Sequence, residues 1–297
     1  LSRTCEIFED LYGHSPSEGL IISANTTFVE KSEPTMDMIE EQLIATDVLH
    51  ADESGVRVEG SLHWLHVAST KFLTHYAVHS KRGQEAMREI GILPAFIGRL
   101  IHDCWASYFT FKNCLHGICN AHILRELQFI ADQYDQTWAL DLGKLLLDIK
   151  VEIEATPLEQ MTLSSELIAH YEQRYDKLLK DGFDANPSPE HPPPQKRGRK
   201  KQSPPKNLLD RLQKYKSEVL AFMYDFRAPF DNNLAERDVR MIKVKQKISG
   251  SFRTQNGAEI FCAIRSYIST VRKQGGNVIQ AIYDAFNGQP FIPLAEG

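Results

Sequence analysis

The sequence predicts an α/β fold in which helices cover a mixed β-sheet, and two observations carry that prediction. Between residues 48 and 78, short segments rich in aliphatic and aromatic residues alternate with glycines or a Ser-Thr-Lys corner, as in an antiparallel meander. From residue 121 to residue 179, and again after residue 208, apolar residues recur at helical spacing. Strands followed by helices and further strands indicate a sheet with helices packed on it.

Residues 1–47 are predicted to be helical. A short amphipathic helix at residues 6–11 precedes the turn Gly13-His14-Ser15-Pro16, a second helix begins near Ser17, and a third covers residues 36–45. Two short helices around a glycine turn are compatible with a helix-turn-helix, although that pattern has low specificity. The chain begins with Leu1 and no basic segment with an apolar core follows, so we expect a fragment or processed chain without a signal peptide.

The middle of the chain predicts the sheet. Strands are expected at residues 48–52, 62–68, 73–78, 99–103 and 115–119, and a helix at residues 84–90 ends at Gly91. The first three strands form a meander because only short turns separate them.

The second half predicts mainly helices. The helical pattern at residues 121–179 is followed at residues 187–206 by PSPEHPPPQKRGRKKQSPPK. This segment has no apolar periodicity, which predicts a linker or mobile arm. Further helices are expected at residues 208–224, from Asp231-Asn232 to about 244, at 258–274 and at 278–286.

Charge is distributed unevenly along the chain. The net charge is −5, but residues 193–253 contain 16 basic and 6 acidic residues, so the remainder is strongly acidic. This block predicts either a polyanion-binding surface or a solvated lysine-rich face.

Five cysteines, an odd number, argue against a disulfide scaffold and for a reducing cytosol. The sequence contains no run of 18 apolar residues, so no membrane span is predicted.

Three acids are candidates for metal chemistry. Asp52 and Asp103 are each predicted to end a strand, where a carboxylate can hold a metal at a sheet edge, although Asp also commonly ends strands and caps helices. Glu236 heads a helical row of three cations, Arg240, Lys243 and Lys247. The alternative for Glu236 is an ordinary i,i+4 pair with Arg240 on a solvated face.

Six blocks of sequence then define a resemblance. In chain order they are LHADESGVRVEGSLHWLHVAST (49–70), YAVHSKRGQEAM (76–87), IHDCW (101–105), CNAHILREL (119–127), PFDNNLAERDVRMIKVKQKISGSFRTQNGA (229–258) and IRSYISTVRKQG (264–275). Together they resemble the catalytic region of insertion-sequence-66-type transposases, of the Asp-Asp-Glu class. The resemblance extends from residue 49 to residue 291, and it is specific because several independent blocks occur in the right order.

The resemblance implies an RNase H-like fold whose metal-binding catalytic acids are Asp52, Asp103 and Glu236. It implies a DNA transposase that cleaves at transposon ends and then joins the freed 3′-hydroxyl to target DNA. Three carboxylates suit this chemistry because two Mg²⁺ ions, replaceable by Mn²⁺, clamp the attacking and leaving oxygens once DNA is bound. A structure-selective RNase H-like nuclease and a non-catalytic DNA-binding remnant are the alternatives.

The resemblance also implies a division of the chain. Residues 1–47 are the helical N-terminal segment, residues 48–120 and 226–297 form the catalytic domain, and residues 121–225 form a helical insertion containing the basic linker. Family members usually carry further N-terminal segments for DNA recognition, so we expect site-specific end recognition to be absent from this chain.

Basic residues are the predicted DNA contacts. Lys243, seven residues after Glu236, matches a position that many transposases of this class use near the cleaved phosphate. The other predicted contacts are Arg237, Arg240 and Lys247 on the same helix and Lys196, Arg197, Arg199, Lys200 and Lys201 in the arm. A solubilising linker is the alternative for the arm.

Cys119 and His122 resemble a Cys-x-x-His pair that several transposase superfamilies carry after the second Asp, and their role stays open. With Cys114 and His116 they form a zinc-like set, but the irregular spacing argues against structural zinc and for buried thiols.

The expected partners are transposon ends and target DNA, further copies of the chain in a synaptic complex, and accessory proteins of the same element, with no membrane. The expected location is the bacterial cytoplasm, at the nucleoid when DNA is bound.

Overall fold

The computed structural model describes residues 1–157, 159–187 and 202–295. Its strands are β1 (Val48–Val58), β2 (Ser61–Ser69), β3 (Thr74–His79), β4 (Arg99–His102) and β5 (Leu115–Ile118). Its helices are α1 (Ser2–Tyr12), α2 (Glu18–Ala45), α3 (Gln84–Ile90), α4 (Ile92–Ala95), α5 (Asn120–Tyr134), α6 (Thr137–Ala155), α7 (Ser165–Ala185), α8 (Pro204–Lys214), α9 (Lys216–Val219), α10 (Ala221–Tyr224), α11 (Asn233–Ser249), α12 (Gln255–Lys273) and α13 (Val278–Phe286).

The strands form one sheet in the order β3-β2-β1-β4-β5. The predicted meander is confirmed, since β1 pairs antiparallel with β2, and β2 with β3. Helices flank the sheet, and most of the chain between Asp103 and Glu236 is helical. The predicted fold class, an RNase H-like α/β fold with a mostly helical insertion, is confirmed.

The chain divides into two compact units. The first unit comprises Leu1–Gly98, Ala106–Leu115 and Asn233–Gly297, and the second comprises Arg99–Trp105 and His116–Asn232. The predicted domain division, into residues 1–47, residues 48–120 with 226–297, and residues 121–225, differs from these two units and stays a prediction. The first unit is therefore assembled from three separate segments of the chain.

One core of the first unit lies between the meander and α11. Val56 and Val58 of β1 pack with Ala235, Val239 and Ile242 of α11. These helix residues stand at i, i+4 and i+7, so one apolar stripe meets the apolar face of the sheet. Burial of this stripe fixes which side of α11 faces β1 and β2.

A second core in the first unit holds the C-terminal residues. Phe28 of α2 packs with Tyr267 and Val271 of α12 and with Phe291. We call residues 287–295 the C-terminal strap. Thr35 donates to the Phe291 carbonyl at 2.6 Å, and Gln42 donates to the Pro293 carbonyl at 3.0 Å, so the strap is tied along α2.

Helix α12 covers the outer edge of β3. The Thr74 N–H donates to Oγ1 of Thr270 at 3.1 Å, and the Tyr76 N–H donates to Oγ of Ser266 at 2.9 Å. Two residues of a strand and four residues of a helix both advance by about 6 to 7 Å, so the two hydroxyls match the two edge amides. The outward N–H groups of Thr74 and Tyr76 on this edge strand are therefore satisfied by α12.

Helices dominate the second unit. Helix α5 packs on α6, α6 on α7, and α7 on α8. A Cβ atom at Gly182 would lie 2.5 Å from Leu209 of α8 and 3.0 Å from the Trp138 ring of α6, so only glycine allows this close approach. The Tyr175 hydroxyl donates to the Leu212 carbonyl at 3.0 Å and links α7 to α8.

The N-terminal prediction was partly wrong. The turn at Gly13, in left-handed conformation, and the helix start at Ser17 are present, and Ser17 caps α2 by accepting from the Leu20 N–H. However, α2 continues without a break to Ala45, so the separate helix at residues 36–45 is absent. Pro34 lies inside α2 because its loss of one backbone hydrogen bond is offset by burial of Thr35, Ile39 and Leu43. A helix-turn-helix function for these helices stays a prediction.

Other boundaries also moved. Strand β1 extends to Val58, so Asp52 lies within a strand and not at its end. The continuous helical region at residues 121–179 is three helices, and α8 begins at Pro204, inside the predicted linker. Proline is favoured in the first turn of a helix, and Ser203 caps this one. Within the described parts of the chain, each helix is too short or too polar to span a bilayer.

Candidate active site

Asp52 lies on the face of the meander that α11 covers. Side chains alternate along a strand, so Asp52 shares a face with Val56 and Val58, which pack on α11. Its cross-strand partner Val67 belongs to the same core. The Asp52 side chain is partly exposed, and its Oδ1 accepts from the Glu53 N–H at 2.8 Å.

Glu53 faces the other side of the sheet and is buried. Its carboxylate is 1% exposed, accepts from Arg82 Nη2 at 2.6 Å and from Nε at 2.8 Å, and also accepts from the Tyr108 hydroxyl. The Arg82 guanidinium lies over the Trp64 ring at 4.8 Å. Two consecutive acids of β1 thus have different surroundings, and the sequence pattern alone did not indicate that Glu53 is buried.

Helix α11 runs beside β1 in the same direction. Lys243 and Gln246 donate to the Gly55 carbonyl at 3.4 and 3.1 Å. Beyond the helix, the Phe252 N–H donates to the Arg57 carbonyl at 2.8 Å. The late part of α11 therefore lies beside the late part of β1, and the first turn of α11 lies toward the start of the strand.

Glu236 stands in that first turn. The rise from Glu236 to Lys243 is about 10.5 Å along the helix, and the rise from Asp52 to Gly55 is about 10 Å along the strand. Glu236 therefore lies toward the Asp52 end of β1. Its side chain is 12% exposed and pairs at 3.7 Å with Arg240, which is 69% exposed. The ordinary i,i+4 pair exists, but an exposed arginine at this distance contributes little stability.

Asp103 belongs to the second unit and follows β4 directly. Its Oδ1 accepts from the Trp105 N–H at 2.9 Å. The preceding His102 is fully buried, shares a hydrogen bond of 3.0 Å with His116, and contacts the Asp103 carbonyl. Burial lowers the pKa of His102 to about 3, so the ring is neutral at physiological pH.

Cys119 and His122 lie at the start of α5 in the second unit. Cys119 is buried, and its Sγ accepts from the Asn232 N–H at 3.2 Å. The Cys119 Sγ and a ring nitrogen of His122 lie within 4.8 Å of each other, so both atoms could bind the same metal ion. Cys114, by contrast, donates to the Phe111 carbonyl, and burial raises its thiol pKa, as expected for a buried thiol.

The predicted basic row forms one exposed side of α11. Arg237, Arg240, Lys243 and Lys247 are all exposed. The arm residues Lys196, Arg197, Arg199, Lys200 and Lys201 lie outside the described residues.

The carboxylates of Asp52 and Glu236 fit Mg²⁺ better than the Cys119-His122 pair does. Magnesium prefers oxygen ligands, whereas thiolate and imidazole suit zinc and other transition metals. Asp52 and Glu236 supply two carboxylates on the side of the sheet that α11 covers, and both side chains are partly exposed. Their oxygen atoms are donors of the right chemistry for Mg²⁺.

Comparison with known proteins identifies a family. A search of curated proteins finds no match. A sequence model described as the Transposase IS66 family matches residues 1–260, which includes Asp52, Asp103, Glu236 and the N-terminal helices. Because this match covers well over half of the chain, the chain belongs to the IS66 family of transposases.

Proposed function

We propose that this chain is the catalytic region of a metal-dependent DNA transposase that cleaves at transposon ends and transfers the freed 3′-hydroxyl into target DNA. Asp52, Asp103 and Glu236 are its metal-binding acids. Membership of the transposase family carries the proposal. The first turn of α11, which contains Glu236, lies toward the start of β1 on the side of the meander that Asp52 faces, and this arrangement supports the proposal.

The three carboxylates would hold two Mg²⁺ ions when DNA is bound, and Mn²⁺ would replace them. The bound ions would supply a Lewis acid to the phosphate oxygens and lower the pKa of a nucleophilic water. The chain itself contributes negative charge at fixed positions. The buried stripe of α11 holds Glu236, pairing with β2 holds Asp52, and the Trp105 N–H orients Asp103.

The basic side of α11 would hold the DNA backbone. Lys243 and Lys247 stand seven and eleven residues after Glu236, on the same side of the helix, so a phosphate chain leaving the acids would meet them in turn. Salt-dependent contacts of this kind bind DNA without reading its sequence. The arm residues would add further contacts of the same type. Joining two transposon ends requires further copies of the chain, and accessory proteins of the element would assist them.

Conservative replacement of the acids tests the catalytic assignment. Asp52→Asn, Asp103→Asn and Glu236→Gln should each reduce both cleavage and strand transfer below detection, because neutral amides lose the charge that binds the metal. The assay uses DNA with the terminal repeats of the element that encodes the chain. Circular dichroism and DNA binding should match the unmodified protein.

Matched exposed acids provide the controls. Glu85→Gln on α3 and Asp141→Asn on α6 change the same groups at exposed positions and should leave both steps intact. Strand transfer by Asp103→Asn would contradict the assignment. Cleavage of branched DNA without any strand transfer by the unmodified chain would favour the nuclease, and DNA binding without cleavage would favour the remnant.

The salt dependence of DNA binding tests the basic row. Each lost phosphate contact lowers the slope of log K against log salt by about 0.9, so the double variant Lys243→Ala/Lys247→Ala should lower the slope by about 2. The exposed Lys31→Ala on α2 should leave the slope unchanged. An unchanged slope in the double variant would remove this surface from the DNA-binding assignment.

A further inference from the structure

A partly buried ion pair joins α11 to the rest of the first unit. The Lys273 ammonium, in the last turn of α12, donates to Asp238 Oδ2 at 2.6 Å and to the carbonyls of Thr70 and Leu73 at 2.7 and 3.1 Å. Thr70 and Leu73 form the turn between β2 and β3. Lys273 of α12 is thereby bonded to α11 and to the turn between β2 and β3. The side chains of Lys273 and Asp238 are both less than one-fifth exposed.

Asp238 also binds β3. Its Oδ2 accepts from the Thr74 hydroxyl at 3.5 Å, and its main-chain carbonyl accepts from the Tyr76 hydroxyl at 3.0 Å. On the opposite flank of the helix, Lys243 and Gln246 are bound to β1 through the Gly55 carbonyl. Helix α11 is therefore held on two flanks, toward β3 by Asp238 and toward β1 by residues in its later turns.

Helical geometry relates Asp238 to Glu236. Each residue advances by about 100° around the axis, so Glu236 lies about 100° from Ala235 on one flank, and Asp238 lies about 60° from it on the other. Ala235 is fully buried against the sheet. A rotation of α11 that moves Asp238 away from β3 would therefore move Glu236 relative to β1.

We propose that Asp238 and Lys273 are positioning residues that set the rotation of α11 about its axis and thereby aim the Glu236 carboxylate at the metal site. This inference rests on the proposed function, because it assumes that Glu236 is a metal ligand. Neither residue touches the reacting atoms. Three elements converge on Lys273, so the pair restrains α11 where the apolar stripe alone would permit small rotations.

Direct metal binding tests this role. We expect Asp238→Asn and Lys273→Met to weaken Mn²⁺ binding about tenfold, the lower end of the range for residues that orient a metal ligand. Mn²⁺ is titrated into the full chain, and the free ion is measured by electron paramagnetic resonance. Lys273→Arg, which keeps the charge, should restore part of the affinity.

A control separates positioning from stability. Tyr267→Phe removes hydrogen bonds to Ala281 and Phe291 elsewhere on α12, so it should lower the stability of the first unit without weakening Mn²⁺ binding. If Tyr267→Phe weakens Mn²⁺ binding as much as Asp238→Asn does, stability and not positioning explains the effect, and the inference fails.

The double variant provides the second arm. In a Glu236→Gln background, Asp238→Asn should change Mn²⁺ affinity by less than about twofold, because the residue that it positions is already gone. Full additivity of the two effects would overturn the inference while leaving Glu236 as a ligand. If Glu236→Gln itself binds Mn²⁺ normally, or the unmodified chain binds none even when transposon-end DNA is present, the proposed function fails first.

Discussion

At the scale of single residues, Asp52 and Glu53 differ because strand geometry sends them to opposite faces. Asp52 faces the side covered by α11, and Glu53 is enclosed by Arg82 and Tyr108. Adjacent acids look equivalent in a sequence, and the period of two separates them only when the strand is known to continue past them. A strand that ended at Asp52 would not have assigned Glu53 to a buried face.

His66 should make stability depend on pH. Burial lowers the pKa of His66 to about 4, whereas an unfolded histidine titrates near 6.5. Between these values the unfolded chain binds more protons than the folded one, so stability increases with pH across this window and falls as the solution is acidified from about 6.5 to 4. The shift corresponds to about 3 kcal/mol.

The variant His66→Gln should lose this contribution. Its amide can still donate to the Lys81 carbonyl, which the imidazole contacts at 3.4 Å, but it does not titrate. Urea unfolding at pH 7 and pH 4.5 should show a smaller difference for the variant than for the unmodified chain. Equal differences would mean that His66 is accessible to protons in the folded state.

At the scale of elements, α12 should be required to protect the edge of the sheet. Ser266→Ala and Thr270→Val each leave a buried β3 amide without its acceptor, which should cost about 1 to 3 kcal/mol. Ser80→Ala, at an exposed position just after β3, should cost less than about 0.5 kcal/mol. Denaturant unfolding measures both, and equal costs would show that water satisfies the β3 amides.

Sequence patterns predicted some elements to the residue and missed others for physical reasons. Helices α3 and α13 have the predicted bounds because a glycine or an asparagine cap marks their ends. The second half of β1 was missed because it contains charges and Gly55, whose strand conformation depends on pairing with β2. The hydroxyl stripe of α12 was also missed, since serine and threonine four residues apart carry no signal until a strand edge lies beside them.

The candidate site was predictable only in part. Resemblance assigned the three acids, and helical periodicity correctly predicted the exposed basic row of α11. The link between Asp238 and Lys273 joins residues 35 positions apart on different helices, so local pattern does not indicate it. The same holds for the contact of Glu53 with Tyr108, 55 positions away.

At the scale of the whole molecule, the end of the family match is not the end of the fold. The match stops at residue 260, within α12. A chain cut there would lose Ser266, Tyr267, Thr270 and Lys273, and with them the edge protection and part of both cores of the first unit. We expect this truncation to abolish cooperative unfolding of the first unit.

A shorter truncation provides the control. Removing residues 287–297 deletes only the strap, so the unfolding midpoint should fall while the transition stays cooperative. Hydrogen exchange of β1 and β2 amides distinguishes the two truncations. Protected amides in the chain that ends at residue 260 would show that the second half of α12 is dispensable.

The order of segments in the first unit also has a consequence for synthesis. The ribosome releases the meander, which contains Asp52, first, and it must then make the 153 residues between β3, which ends at His79, and α11, which begins at Asn233. At ordinary translation rates of about 5 to 20 residues per second this takes roughly 8 to 31 s, during which α11 is not there to cover the apolar face of the meander. A nascent chain in that interval lacks Glu236, so catalytic competence would arise only near the end of translation.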